Sequence, residues 1–133
     1  MVEGGIGMPR LGLSATVLDA RDPVALAGFY QALLGWEVVT QEPTWCTLRA
    51  PGGGAGLSFQ LEPLHEAPTW PAEPEAGQMQ LHLDIAVDDL AEGVALAESL
   101  GARQAAWQPQ DDVRVMLDPE GHPFCLFPHE PAR

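Results

Sequence analysis

The chain has 133 residues, 46% of them hydrophobic, with 19 acids against 6 bases and a formal charge of −13 at pH 7. That length fits one compact domain, or two small half-domains sharing a core, with an apolar content ordinary for a globular protein. So acidic a surface repels phosphate backbones and anionic lipid, which argues against nucleic acid and membrane partners; it suits a cationic ligand and also serves solubility.

The opening MVEGGIGMPRLGLS has neither a basic n-region nor an apolar h-region. No apolar run approaches the ~20 residues of a membrane span, so a cytoplasmic protein is expected. Cys46 and Cys125 lie far apart and are read as two free thiols, with no close cysteine pair to suggest a zinc site.

In chain order, a first strand is predicted near 11–18. A helix follows, with Asp22 as its N-cap, Pro23 at its first position and Gly35 closing it in the left-handed conformation. Leu26, Phe29, Tyr30 and Leu33 recur at the helical period. Three strands are predicted near 36–40, 45–50 and 56–62, the last two joined by the glycines of APGGGAG. The proline- and glutamate-rich stretch 63–78 reads as an irregular connector, and Trp70 within it is expected to pack over the domain edge or cover a ligand.

The same grammar then returns. A strand is predicted near 79–87, and a helix starts at Asp88 or Asp89 and is closed by Gly101. Leu90, Val94, Ala97 and Leu100 lie on its buried side. Strands follow near 103–107, 113–118 and 123–127. DPEG, residues 118–121, has the aspartate, proline and glycine of a type I turn. Each half therefore reads β-α-β-β-β, with module one at about 11–62 and module two at about 79–128 of a single domain covering 1–133.

Within QLHLDIAVDDL, Leu81, Leu83, Ile85 and Val87 share one face, while His82, Asp84 and Ala86 share the other. A histidine and a carboxylate two residues apart mark a candidate acid–base pair, although their Cβ atoms stand about 7 Å apart on an ideal strand. The plainer alternative pairs Asp84 with Arg49 or Arg114 across the sheet. His65, His122 and His129 read as solvated, with His122 able to fold back on its hairpin. Phe29, Trp36, Phe124 and Phe127 read as core or interface.

The paired modules, with FYQALLGWEV (29–38), HLDIAVDDL (82–90) and DPEGHPFCLF (118–127), resemble the vicinal oxygen chelate superfamily of glyoxalase I, extradiol dioxygenases and bleomycin-resistance proteins. The similarity is greatest to its small glyoxalase-like branch. It implies an α+β fold in which two βαβββ modules form a cupped mixed sheet with helices outside. It also implies a homodimer and, in metal-dependent members, one ligand from the first and last strand of each module. Carried onto this chain, those positions are Ala15 or Thr16, Ser58 or Gln60, His82, and Cys125 in place of glutamate. One good donor, one thiol and two neutral positions make a dismantled site, so no cofactor is expected. A bound divalent metal would need an unusual set such as His82, Asp84, Cys125 and Glu62.

Strand alternation places Trp45, Arg49, Ser58 and Gln60 from module one in the cup. From module two it places His82, Asp84, Arg114, Met116 and Cys125, with Trp70 and Trp107 at the rim. Aromatic walls with a few polar anchors suit a small organic molecule, and a cationic one fits the surface charge. The expected function is a metal-free binding protein that sequesters a drug or metabolite. The alternative is a lyase, isomerase or dioxygenase using His82 with an atypical metal set or with Asp84.

Overall fold

The computed structural model describes residues 7–130. Module one contains β1 (Ala15–Ala20), α1 (Pro23–Leu34), β2 (Glu37–Glu42), β3 (Trp45–Arg49) and β4 (Gly56–Leu61). Module two contains β5 (Leu83–Val87), α2 (Leu90–Ser99), β6 (Arg103–Gln104), β7 (Arg114–Leu117) and β8 (Pro123–Pro128). They make two four-stranded sheets, β1-β4-β3-β2 and β5-β8-β7-β6. In each the first strand runs parallel to the last, and the other pairings are antiparallel. This is the α+β arrangement of two βαβββ modules.

Local chemistry sets the helix ends. The Asp22 carboxylate accepts from Ala25 N at 3.1 Å, Pro23 opens α1, and Gly35 at φ 71° closes it. Asp89, rather than Asp88, caps α2 by accepting from Glu92 N at 3.0 Å. Gly101, just past the end of α2, takes φ 113°.

Strand starts differ from the expected ones for one physical reason: a ladder begins only where its partner begins. β1 starts at Ala15, opposite Gly56, and the expected strand does not extend over 11–14, leaving Leu11 and Leu13 exposed. β5 starts at Leu83 opposite Phe124, so residues 79–82, including His82, precede the strand. β6 starts where expected but is shortened to Arg103–Gln104, and Trp107 lies beyond it.

One continuous apolar cluster joins the modules. α1 contributes Leu26, Phe29 and Tyr30, β4 contributes Phe59, and module two contributes Ala97, Met116, Phe124 and Leu126. Tyr30 stacks on Phe59 at 5.8 Å and meets Phe124 at 6.1 Å. Its hydroxyl donates to the fully buried Asp118 carboxylate at 2.8 Å. Asp118 also accepts from Glu120 N and His122 N, which holds the β7–β8 hairpin. Among the described residues no helix is long and apolar enough to cross a membrane.

Candidate functional site

The hairpin register decides which side chains face away from the helices in module two. Leu117 pairs with Pro123, Met116 with Phe124, and Val115 with Cys125. Phe124 is core, so Met116 is core as well, fully buried, and the expected placement of Met116 in the cup is corrected. Val113 and Val115, which alternate with Arg114 and Met116, line the open face beside Cys125 in their place. Arg114 is not in the lining either: its Nη1 donates to Gln110 O and Val113 O.

On this open face lies a cavity of about 410 Å³, lined by Trp70, His82, Asp84, Trp107, Gln110, Asp112, Val113, Val115, Cys125 and Phe127, with Pro109 and Pro128. His82 Nε2 lies 3.0 Å from Asp84 Oδ1. The direct contact that strand geometry disfavoured is made because His82 precedes the paired strand and is free of its pleat. The Trp70 indole stacks on the His82 ring, with centroids 4.6 Å apart and planes at 27°. Trp107 meets Trp70 edge-on at 5.0 Å.

Both tryptophans are placed by specific bonds. The connector is tied by Arg21 Nε donating to His65 O, by a contact between His65 Nε2 and Glu120 O, and by the His65–His122 stack at 4.6 Å. His65 and His122 are thus packed together rather than solvated, and His122 Nδ1 also contacts Asp118 at 2.9 Å. Gly121, at φ 88°, lets Ala67 approach where any Cβ would project. Thr69 N then donates to Gly77 O and Met79 N to Thr69 O, closing a loop around Trp70. Beyond Trp107, the Gln108 amide replaces a strand neighbour. Its Oε1 accepts from Val115 N, and its Nε2 donates to Ala105 O and Val115 O.

Module one's expected lining does not join this cavity. Trp45, Arg49 and Ser58 line a separate hollow of about 290 Å³ on their own sheet, and the two linings share no residue. Gln60 lines neither and donates to Asp19 Oδ1 at 2.6 Å. Arg49 pairs with Glu37 at 3.6 Å, so Asp84 pairs with His82 rather than across the sheet with an arginine. Glu62 accepts from Leu64 N where the connector begins, apart from the His82 group.

Cys125 is buried, and its thiol is pushed above the ordinary range by burial first and by the Asp84 charge second. The donor atoms of His82, Asp84 and Cys125 all lie within 4.8 Å of one another. The four-cornered ligand set that the resemblance implies does not fit here, because the module-one positions offer Ala15 and Ser58. A different trio, one nitrogen, one oxygen and one sulfur from a single module, suits a thiophilic ion such as zinc.

Comparison with known proteins agrees with this architecture. The glyoxalase-like domain family matches residues 15–127. The chain therefore belongs to that family, within the vicinal oxygen chelate superfamily. Solved structures similar to it include a glyoxalase/bleomycin resistance protein/dioxygenase family enzyme from Burkholderia phytofirmans PsJN, 22% identical, covering 87% of this chain and 97% of that one with a TM-score of 0.65. A glyoxalase/bleomycin resistance protein from Albidiferax ferrireducens T118 is 18% identical over 90% and 98% of the chains, TM-score 0.60. A lactoylglutathione lyase from Agrobacterium tumefaciens is 20% identical over 90% and 95%, TM-score 0.57. At these identities the likeness is one of fold. No curated protein matches the chain.

Proposed function

We propose that the protein binds a small organic cation in the module-two cavity. The observation that carries this reading is the lining: Trp70 and Trp107 as walls, the Asp84 and Asp112 carboxylates, and neither lysine nor arginine. A cation over an indole face gains roughly 0.5–2 kcal/mol, and nearby carboxylates add directional preference. Quenching of tryptophan fluorescence by benzyltrimethylammonium, compared with benzenesulfonate, tests it. Saturable quenching by the cation, at least tenfold stronger than by the anion, is expected; equal or reversed affinity would refute the reading. A homodimer belongs to the same proposal, supported by the exposed apolar residues Val17 and Val39 in module one, and sedimentation equilibrium tests it.

A second reading is favoured by one specific observation, the His82–Asp84–Cys125 trio. In it these three side chains hold a zinc-type ion, which when bound supplies Lewis acidity. Cys125 must lose its raised-pKa proton to ligate, so affinity should climb with pH. Zinc titration of wild type and His82→Ala separates the readings: stoichiometric binding lost in the variant favours the metal site, and no binding favours the cation.

A further inference from the structure

The cavity of about 410 Å³ is only part of the open face of module two. Beyond Trp70 and Trp107 lies a second hollow of about 340 Å³, whose lining includes Pro68, Ala105, Ala106, Leu117 and Pro123. The two hollows share Trp70, Trp107 and Val115, so the tryptophan pair forms the partition and Val115 the common floor.

Their chemistry differs sharply. The first compartment carries Asp84, Asp112 and His82, whereas the second has no charged side chain in its lining. The strand pleat makes this continuity: Val115 and Leu117 lie two residues apart on β7, on one face, and carry the apolar floor from one compartment into the other. The two rings of the partition meet edge to face, with centroids 5.0 Å apart. One ring belongs to the connector and the other to the stretch after β6.

From this juxtaposition we propose that the ligand is an amphiphilic cation. Its charged head sits among the carboxylates, and its hydrocarbon tail crosses the tryptophan pair into the uncharged compartment. The inference rests on the cation-binding reading and extends it by specifying a tail. A compact cation would leave the second hollow unused. An anionic amphiphile would bring its head against Asp84 and Asp112.

Calorimetric titration of the full chain with alkyltrimethylammonium ions from tetramethyl to octyl, all below micelle concentrations, tests this. Affinity should rise by up to roughly fourfold per added methylene and level off once the second hollow is filled. Octyl sulfate should bind at least tenfold more weakly than octyltrimethylammonium. In Ala106→Trp, at an exposed position, the octyl-to-tetramethyl affinity ratio should fall toward one. Binding of tetramethylammonium with no dependence on chain length would overturn the amphiphile while sparing the cation reading. No binding by any member would overturn both. Octyl sulfate binding as well as its cationic counterpart would remove the head-group assignment.

Discussion

The open faces of the two modules are built on the same ladder and carry different chemistry. Val17 faces Ser58 in module one where Asp84 faces Cys125 in module two, and Ala15 stands where His82 does, two residues earlier. Module one is left with Trp45, Thr47, Ser58 and Arg49, so its only charge in the hollow is a cation already paired with Glu37. Module two gathers a histidine, a carboxylate and a thiol, and the connector adds an indole on top. A repeat thus conserves backbone register while the side chains at matching positions diverge. Function in such a fold is read from the occupant of each position.

The comparison depends on a joint, and breaking it should have the largest effect. Tyr30→Phe leaves the buried Asp118 carboxylate one donor short and should lower stability by about 2 kcal/mol in urea unfolding. The same residue predicts an alkaline effect. Burial, then the Asp118 charge, hold the Tyr30 pKa well above its ordinary value of 10.0. Above pH 10 the unfolded chain therefore releases this proton while the folded chain keeps it, and stability falls as pH rises. Thiols raised above 9.0 contribute in the same direction, so the difference between wild type and Tyr30→Phe isolates the phenol. Because the chain has one tyrosine, phenolate absorbance should appear only with unfolding.

Next in size is the contrast between walls. Trp70→Ala should weaken binding of an organic cation by about tenfold through lost cation–π contact. Trp45→Ala, in the other hollow, should change it by less than a factor of two. Equal losses would erase the distinction between the faces.

A smaller effect sharpens the contrast between the cysteines. Cys125 is on the cavity wall with Asp84 beside it, whereas Cys46 is in the core and donates to Glu42 O. Asp84→Asn removes one cause of the raised Cys125 pKa, so alkylation of Cys125 by iodoacetamide near pH 8 should quicken a few-fold. Cys46 should stay slow in both proteins, as peptide mass mapping will report.

What was legible in the sequence was local. Asp22 with Pro23, Gly35, and the DPEG turn each act within a few residues, and the structure uses all of them. The strand starts were not legible, because Gly56 and Phe124, far along the chain, are where β1 and β5 begin to pair. The placement of Met116 in the cup had a readable remedy. Pairing outward from the 118–121 turn sets Met116 opposite Phe124 and Val115 opposite Cys125, a stronger constraint than strand alternation alone. Strand alternation marks His82, and the family resemblance marks Cys125. Asp112 and the Gln108 brace that precedes it had no sequence signal, since both depend on a loop held by side-chain rather than backbone pairing. The division of one expected cup into two hollows is a matter of module packing, which no local pattern encodes.

The four tryptophans sample the whole comparison: Trp70 and Trp107 in the module-two cavity, Trp45 in the module-one hollow, and Trp36 against the core. Indole N–H resonances followed by NMR during titration with benzyltrimethylammonium test the central claim most directly. Saturable shifts at Trp70 and Trp107, with Trp45 and Trp36 unmoved, are predicted. Shifts at Trp45 in place of that pair, or at none of the four, would contradict it.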